Sequence, residues 1–344
     1  MAELRKKTEK IRNFILTHVG KHPADISKET GNHFGISRQA VNKHIKRLTA
    51  EKALEGKGHG RNKTYKLAEL TQWSQRYKIT PELAEDLIWR KDIQGTLGNL
   101  PDNVLSIWHY GFTEMFNNAI DHSEGLEVIV QVKKTAVDTE MLIQDNGLGI
   151  FKKIQTTLHL IDERHALLEL SKGKLTTDPK RHSGEGIFFT SRMFDSYDIL
   201  SNGVYFFHQF EKAEDWLVER KQFINGTSVW MKLPNHTART CKKVFDKYTS
   251  GEDYGFNKTV VPVKLAQYGS EALISRSQAK RLLARIEVFK IVIFDFKDVN
   301  SIGQAFADEI FRVFAAQHPD IEIIFIHANE DVKKMITRAK SILK

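Results

Sequence analysis

The chain has 344 residues, 41% of them apolar, and 52 Lys and Arg against 43 Asp and Glu give a net charge of +9. That length predicts two or three domains with ordinary cores, while the single cysteine, Cys241, excludes a disulfide framework and a thiolate metal cluster. The start MAELRKKTEK carries no apolar signal segment and no run approaches the roughly 18 apolar residues of a membrane span, so a soluble protein of a reducing cytoplasm, with no membrane partner, is expected.

The charge is uneven. Residues 1–78 hold 18 Lys and Arg against 7 Asp and Glu, a net +11, and the rest hold 34 against 36. An excess confined to the N-terminal segment suits a domain facing a polyanion. Within it, Ile11, Phe14, Ile15 and Val19 recur at helical spacing before Gly20. Pro23 and Gly31 bracket a second helix. A third follows Ser37, a residue suited to N-capping. It turns Ala40, Val41, Ile45 and Leu48 inward and Gln39, Asn42, Lys43 and Lys46 outward. LEGKGHGRNKTYKL then reads as strand, basic glycine-rich turn, strand.

Residues 71–105 read as a polar, then amphipathic, helical connector. In HYGFTEMFNNAIDHSEG (109–125), Glu114 and Asn118 stand four apart on one helix face, opposite the apolar Trp108, Phe112, Met115 and Ala119. LEVIVQV and TEMLIQD read as strands and DNGLGI as a turn. Residues 151–182 form a long polar segment, and SGEGIFFTSRMFD is a glycine turn entering a helix. YFFHQF, DWLVERKQF and TSVWMKLP read as antiparallel strands. Residues 235–255 are a linker with some helix. From 256 onward, strand and helix alternate three times, which predicts a small α/β domain.

Four places in the middle of the chain carry chemistry. Asp145 ends an apolar strand, where a carboxylate can accept from an amino group such as adenine N6, and Gly147 and Gly149 allow a flat ring to approach the backbone. Gly184 and Gly186 precede a helix, whose free N–H groups favour phosphate. Asn118 can offer its carbonyl oxygen to Mg²⁺. Glu114 can orient or deprotonate an attacking hydroxyl or water. Magnesium, phosphate and adenine together point to ATP.

Residues 8–68 resemble the winged helix-turn-helix domains. That resemblance implies binding of double-stranded DNA through Arg38, Gln39, Asn42, Lys43 and Lys46 on the third helix, with Arg61 and Lys63 in the wing. The ordered motifs of residues 80–234 resemble the GHKL superfamily of gyrase, heat-shock ATPases, histidine kinases and MutL. This implies Asn118 as Mg²⁺ ligand, Glu114 as the catalytic carboxylate and Asp145 on the adenine amino group. Gly147 and Gly149 would shape the base pocket, Gly184 and Gly186 would sit at the phosphates, and Thr227 would support the base. Lys174, Lys180, Arg181 and His182 of the lid would contact phosphate.

Residues 290–314 resemble the STAS fold of anti-anti-sigma factors, although Gln304 and Ala305 stand where those factors carry a phosphorylated serine, and Ser301 is out of register. The expected architecture is therefore a multidomain α+β and α/β chain. It comprises a winged helix (1–70), a helical connector (71–105), a GHKL α/β sandwich (106–234), a linker (235–255) and a STAS-like α/β domain (256–344). The expected function couples an ATP and Mg²⁺ site to DNA binding, with a regulatory protein docking on the STAS-like domain. A serine/threonine kinase of the anti-sigma type and a DNA-dependent ATPase remain as alternatives, and a homodimer is compatible with any of them.

Overall fold

A computed structural model describes residues 2–175, 184–209, 215–219, 225–249, 255–267 and 271–341. It is a mixed α and β chain with three separate sheets of two, seven and three strands.

Helices α1 (Ala2–His18), α2 (Ile26–Phe34) and α3 (Arg38–Ala50) enclose a small core of Ile11, Ile15, Val19, Ile26, Val41, Ile45 and Leu48. The Ser37 hydroxyl accepts from the Ala40 N–H at 3.3 Å, so the expected N-cap forms. α2 runs past Gly31 and ends at Gly35, whose φ of 62° lets the chain reverse. An antiparallel hairpin, β1 (Leu54–Lys57) and β2 (Thr64–Leu67), closes this unit.

The connector expected at 71–105 is helical only in its second half. Its first part is β3 (Thr71–Lys78), the edge strand of the large sheet, paired from Thr71↔Lys134 to Lys78↔Glu127. Trp73 and Tyr77 alternate with polar residues and pack on the core, a period-two pattern hidden by the polarity of TQWSQRYK. Only Ala68, Glu69 and Leu70 separate β2 from β3. Ala68 donates to Ala53 O at 3.1 Å and Leu70 to Lys134 O at 2.7 Å. The second half forms α4 (Glu85–Ile88), a π turn (Trp89–Ile93) and α5 (Gln94–Leu97).

The seven strands are β3, β4 (Glu127–Lys134), β5 (Asp138–Asp145), β9 (Thr227–Pro234), β6 (Ser196–Ser201), β7 (Val204–Gln209) and β8 (Asp215–Glu219), in that spatial order and antiparallel throughout. β6 adds to the expected strands; it follows a helix after only Phe194 and Asp195. α6 (Asp102–His122) lies across the sheet through Val104, Ile107, Trp108, Phe112, Met115, Phe116 and Ala119. At Gly111 the helix comes so close that an added Cβ would lie 2.5 Å from the Phe194 ring, so only glycine fits. α7 (Ile150–Thr157), α8 (Glu163–Lys172), α9 (Gly186–Met193) and α10 (Cys241–Tyr248) complete the middle.

The last unit has three parallel strands, β10 (Lys258–Pro262), β11 (Ile291–Asp295) and β12 (Glu322–Ile326). α11 (Arg276–Leu283) links the first two. α12 (Gln304–Asp308), a π turn (Glu309–Phe314) and α13 (Ala315–Gln317) link the next, and α14 (Glu330–Ser341) follows. The middle and last units share one continuous hydrophobic cluster, whereas the N-terminal unit has its own. Rings of Phe188, Phe256 and Phe289 stitch the junction, with centroids 4.6 and 5.3 Å apart. No described helix is long and apolar enough to cross a membrane.

Candidate functional site

A cavity of about 270 Å³ opens between α6 and the large sheet. Its lining collects Glu114 and Asn118 from α6, Asp145 from the end of β5, Thr227 from the start of β9, and Gly184 and Gly186 at the entry to α9. These residues are up to 113 positions apart in sequence, from Glu114 to Thr227. Met115, Ile143, Ile150, Ile187 and Val229 supply apolar wall.

Asp145 is 6% exposed. Burial pushes its carboxyl pKa above the usual aspartate range, opposed by bonds from Gly147 and Thr227. Its Oδ1 accepts from Gly147 N at 2.9 Å and from Thr227 N at 3.1 Å. Thr227 Oγ1 in turn accepts from Ile150 N at 2.9 Å, tying the first turn of α7 to β9. The glycines around this carboxylate are sterically required. A Cβ on Gly147 would stand 1.9 Å from Ser123 O, and one on Gly226, whose φ is 88°, would stand 2.2 Å from Asp145 O.

The other end is acidic. A Cβ on Gly186 would lie 2.0 Å from Glu114 Oε2, so this carboxylate rests against the backbone that opens α9. Burial raises the Glu185 pKa, with Lys174 opposing. Tyr110, one turn before Glu114, has its phenol pushed up by burial and then by Glu114 and Glu185. Leu175 N donates to Gly184 O at 3.0 Å, which closes the base of the segment between them.

Lys174 stands apart from the other candidate residues. It does not line the cavity; its Nζ donates to Val288 O at 3.3 Å and lies 5.7 and 5.2 Å from the Phe256 and Phe289 rings. The long stem of a lysine packs on aromatic surface, and here that surface belongs to the C-terminal unit. Lys180, Arg181 and His182 lie outside the described residues. The segment expected to be polar instead contains two helices with buried apolar faces. α8 buries Ala166, Leu167, Leu168 and Leu170, and Lys172 is only 1% exposed. The Lys172 ammonium pairs with Glu169 at 2.6 Å and donates to Arg281 O at 3.2 Å and Ala284 O at 2.7 Å. Thr259 Oγ1 donates to Lys172 O at 2.6 Å. α8 is thus docked on the C-terminal unit.

His122, from the end of the same helix as Glu114 and Asn118, also lines the cavity, and one further lining side chain, Lys153, belongs to none of the motifs legible in the sequence. Lys153 pairs with Glu124 at 2.7 Å. A lysine in the polar run FKK gives no local sign of facing a cavity.

In the N-terminal unit, Arg38, Gln39, Asn42, Lys43 and Lys46 are all exposed on α3. Asn42 Oδ1 accepts from Ser27 Oγ at 3.0 Å, so that amide also braces α2. Arg61 falls in the tight turn between β1 and β2, and Lys63 Nζ lies 5.2 Å from the Tyr65 ring.

Residues 278–333 match the family described as a STAS-like domain of unknown function (DUF4325). The match runs from within α11 into α14 and takes in β11 and β12. The C-terminal part of the chain is therefore STAS-like, and α12 begins at Gln304 as the resemblance implied. No curated protein matches the chain.

Proposed function

We propose that the cavity binds ATP with Mg²⁺ in the manner of a GHKL domain, and that nucleotide governs how the N-terminal unit, acting as a winged helix, engages double-stranded DNA. The observation that carries this reading is the convergence of four separated motifs on one cavity. Glu114 with Asn118, Asp145, Gly184 with Gly186, and Thr227 each suit a different part of one ligand.

The chemistry of each end supports the assignment. Asp145 Oδ1 accepts from two backbone N–H groups and the Thr227 side chain also bonds this carboxylate, which lines the cavity and suits acceptance from an exocyclic amino group. The apolar wall suits a planar base. Among the described residues no group of three or more His, Cys, Asp or Glu side chains is arranged to hold a metal alone. Asn118 and Glu114 therefore fit a Mg²⁺ that arrives with a polyphosphate and keeps water ligands. Bound there, Mg²⁺ would offset phosphate charge beside Glu114 and Glu185. Glu114 is the residue placed to orient or deprotonate a nucleophile. The STAS-like unit would present a surface to a regulatory protein.

The test is calorimetric titration with Mg·ATP, followed by incubation with γ-labelled ATP. Heat of binding lost in Asp145→Asn supports the site, and its absence in the wild type removes the nucleotide reading. Label on protein marks a kinase, free phosphate an ATPase, and neither a binding switch.

A further inference from the structure

Parallel strands are ordinarily covered on both faces, because crossover connections lay helices on each side. The three-stranded sheet has helices over one face only among the described residues. Phe294 and Phe325 meet the Phe311 ring at 6.3 and 6.1 Å, and Lys340 of α14 lies 5.4 Å from the Phe325 ring. α11 and α14 pack on this same helical layer. Side chains alternate, so the register places three rows on the opposite face: Lys258–Ile291–Glu322, Val260–Ile293–Ile324 and Pro262–Asp295–Ile326. Ile291, Ile293, Ile324 and Ile326 are partly buried and belong to neither hydrophobic cluster, whereas Val260 at the edge packs against the main one.

We propose that this face is a homodimer interface in which two copies stack sheet on sheet about a two-fold axis parallel to β11. Charge selects both the occupant and the axis. Rotation about β11 lays β10 of one copy over β12 of the other and keeps every row level. Lys258, at one edge of the first row, then faces the partner's Glu322, and the pair occurs twice. A two-fold axis across the strands would instead set Lys258 against proline and Glu322 against isoleucine. Asp295 lies on the chosen axis but is 7% exposed. Its Oδ1 accepts from Lys297 N at 2.9 Å and lies 2.8 Å from His327 Nδ1, so the carboxylate is turned into its own loop. The four isoleucines supply the apolar centre and the two ion pairs the rim, the usual anatomy of an interface. The face spans roughly 14 Å across the strands and 16 Å along them, which is less than a standard interface, so association is weak and concentration-dependent.

Sedimentation velocity of the full chain over a concentration series tests this. Wild type should pass from monomer to dimer, and Ile293→Asp should remain monomeric while keeping its fold, because the side chain is only partly buried and outside both core clusters. Lys258→Glu and Glu322→Lys each place like charges at both ends of the interface and should raise the dissociation constant about tenfold or more. A mixture of these two variants should associate again, because opposite charges then meet at both ends. That rescue is decisive even if Ile293→Asp is unstable. A chain monomeric at the highest concentration overturns the proposal, as does a dimer indifferent to both charge reversals. A mixture no tighter than its components also overturns it.

Discussion

At one end of the cavity, Asp145 is held by groups of its own turn and the adjoining strand, Gly147 N and Thr227 N, over steric constraints that admit only glycine. At the other end, Leu170 and Leu175 belong to or follow a helix anchored on the C-terminal unit through Lys172, Arg281 O and Ala284 O. The first end is self-sufficient and the second borrows its shape from another part of the molecule. On the proposed reading of the cavity as an ATP site, recognition of a base and grip on a polyphosphate would be separable, and substitutions at the two ends should distinguish adenosine from ATP.

The largest separation is expected from Glu114→Gln. It keeps the side-chain volume against Gly186 but removes the carboxylate, so ATP affinity should hold while any turnover falls about 10²–10⁴-fold, read as phosphate release. Equal turnover in variant and wild type would take Glu114 out of its proposed role. Lys172→Met comes next. It takes the ammonium from Glu169, 5% exposed, and leaves it the Arg285 guanidinium 3.6 Å away, so the loss in denaturant unfolding should fall short of that for a fully unpaired buried charge, about 3–5 kcal/mol. In protein that remains folded, ATP affinity should drop while adenosine affinity is retained; an equal loss for both ligands would erase the contrast between the two ends.

Asp145→Asn should weaken adenosine and ATP alike, by about 1.5–3 kcal/mol for a charge-assisted bond. Acidification provides the same contrast without mutation. Because burial raises the Asp145 pKa, the carboxylate protonates at a higher pH than an exposed aspartate. Base affinity should be complete at neutral pH and start to fall before the ordinary aspartate range is reached. Titration of Asp145→Asn should lack that step. The smallest effect lies away from the cavity: Lys43→Ala with Lys46→Ala should lower the salt slope of DNA binding by about one for each phosphate that the variant no longer neutralises.

The self-sufficient end is the more legible in sequence. Asp145 and Gly147 act through short-range geometry that a strand ending in Asp-x-Gly already encodes, and Thr227 reaches them because β9 pairs beside β5. Glu114 and Asn118 are legible because helical spacing fixes their shared face. The borrowed end is not. Lys172 reads as a surface lysine, and its burial depends on carbonyl groups more than a hundred residues later. The charge of Lys174 points to phosphate, yet its stem lies against aromatic rings of the C-terminal unit. β3 is hidden for a related reason. The partner that makes an edge strand of polar residues is β4, and nothing within TQWSQRYK announces that pairing.

The passage from β2 to β3 has a mechanical consequence. With only Ala68, Glu69 and Leu70 between the hairpin and the sheet, Ala68 bonded back to the N-terminal unit and Leu70 bonded to the sheet, the N-terminal unit is mounted like a blade on a handle. It has little tether to sample space with, so its influence on the middle of the chain does not depend on an effective local concentration. A twist of the large sheet would arrive at α3 as a rotation of the entire blade, changing the angle at which its basic edge is presented while leaving that edge intact.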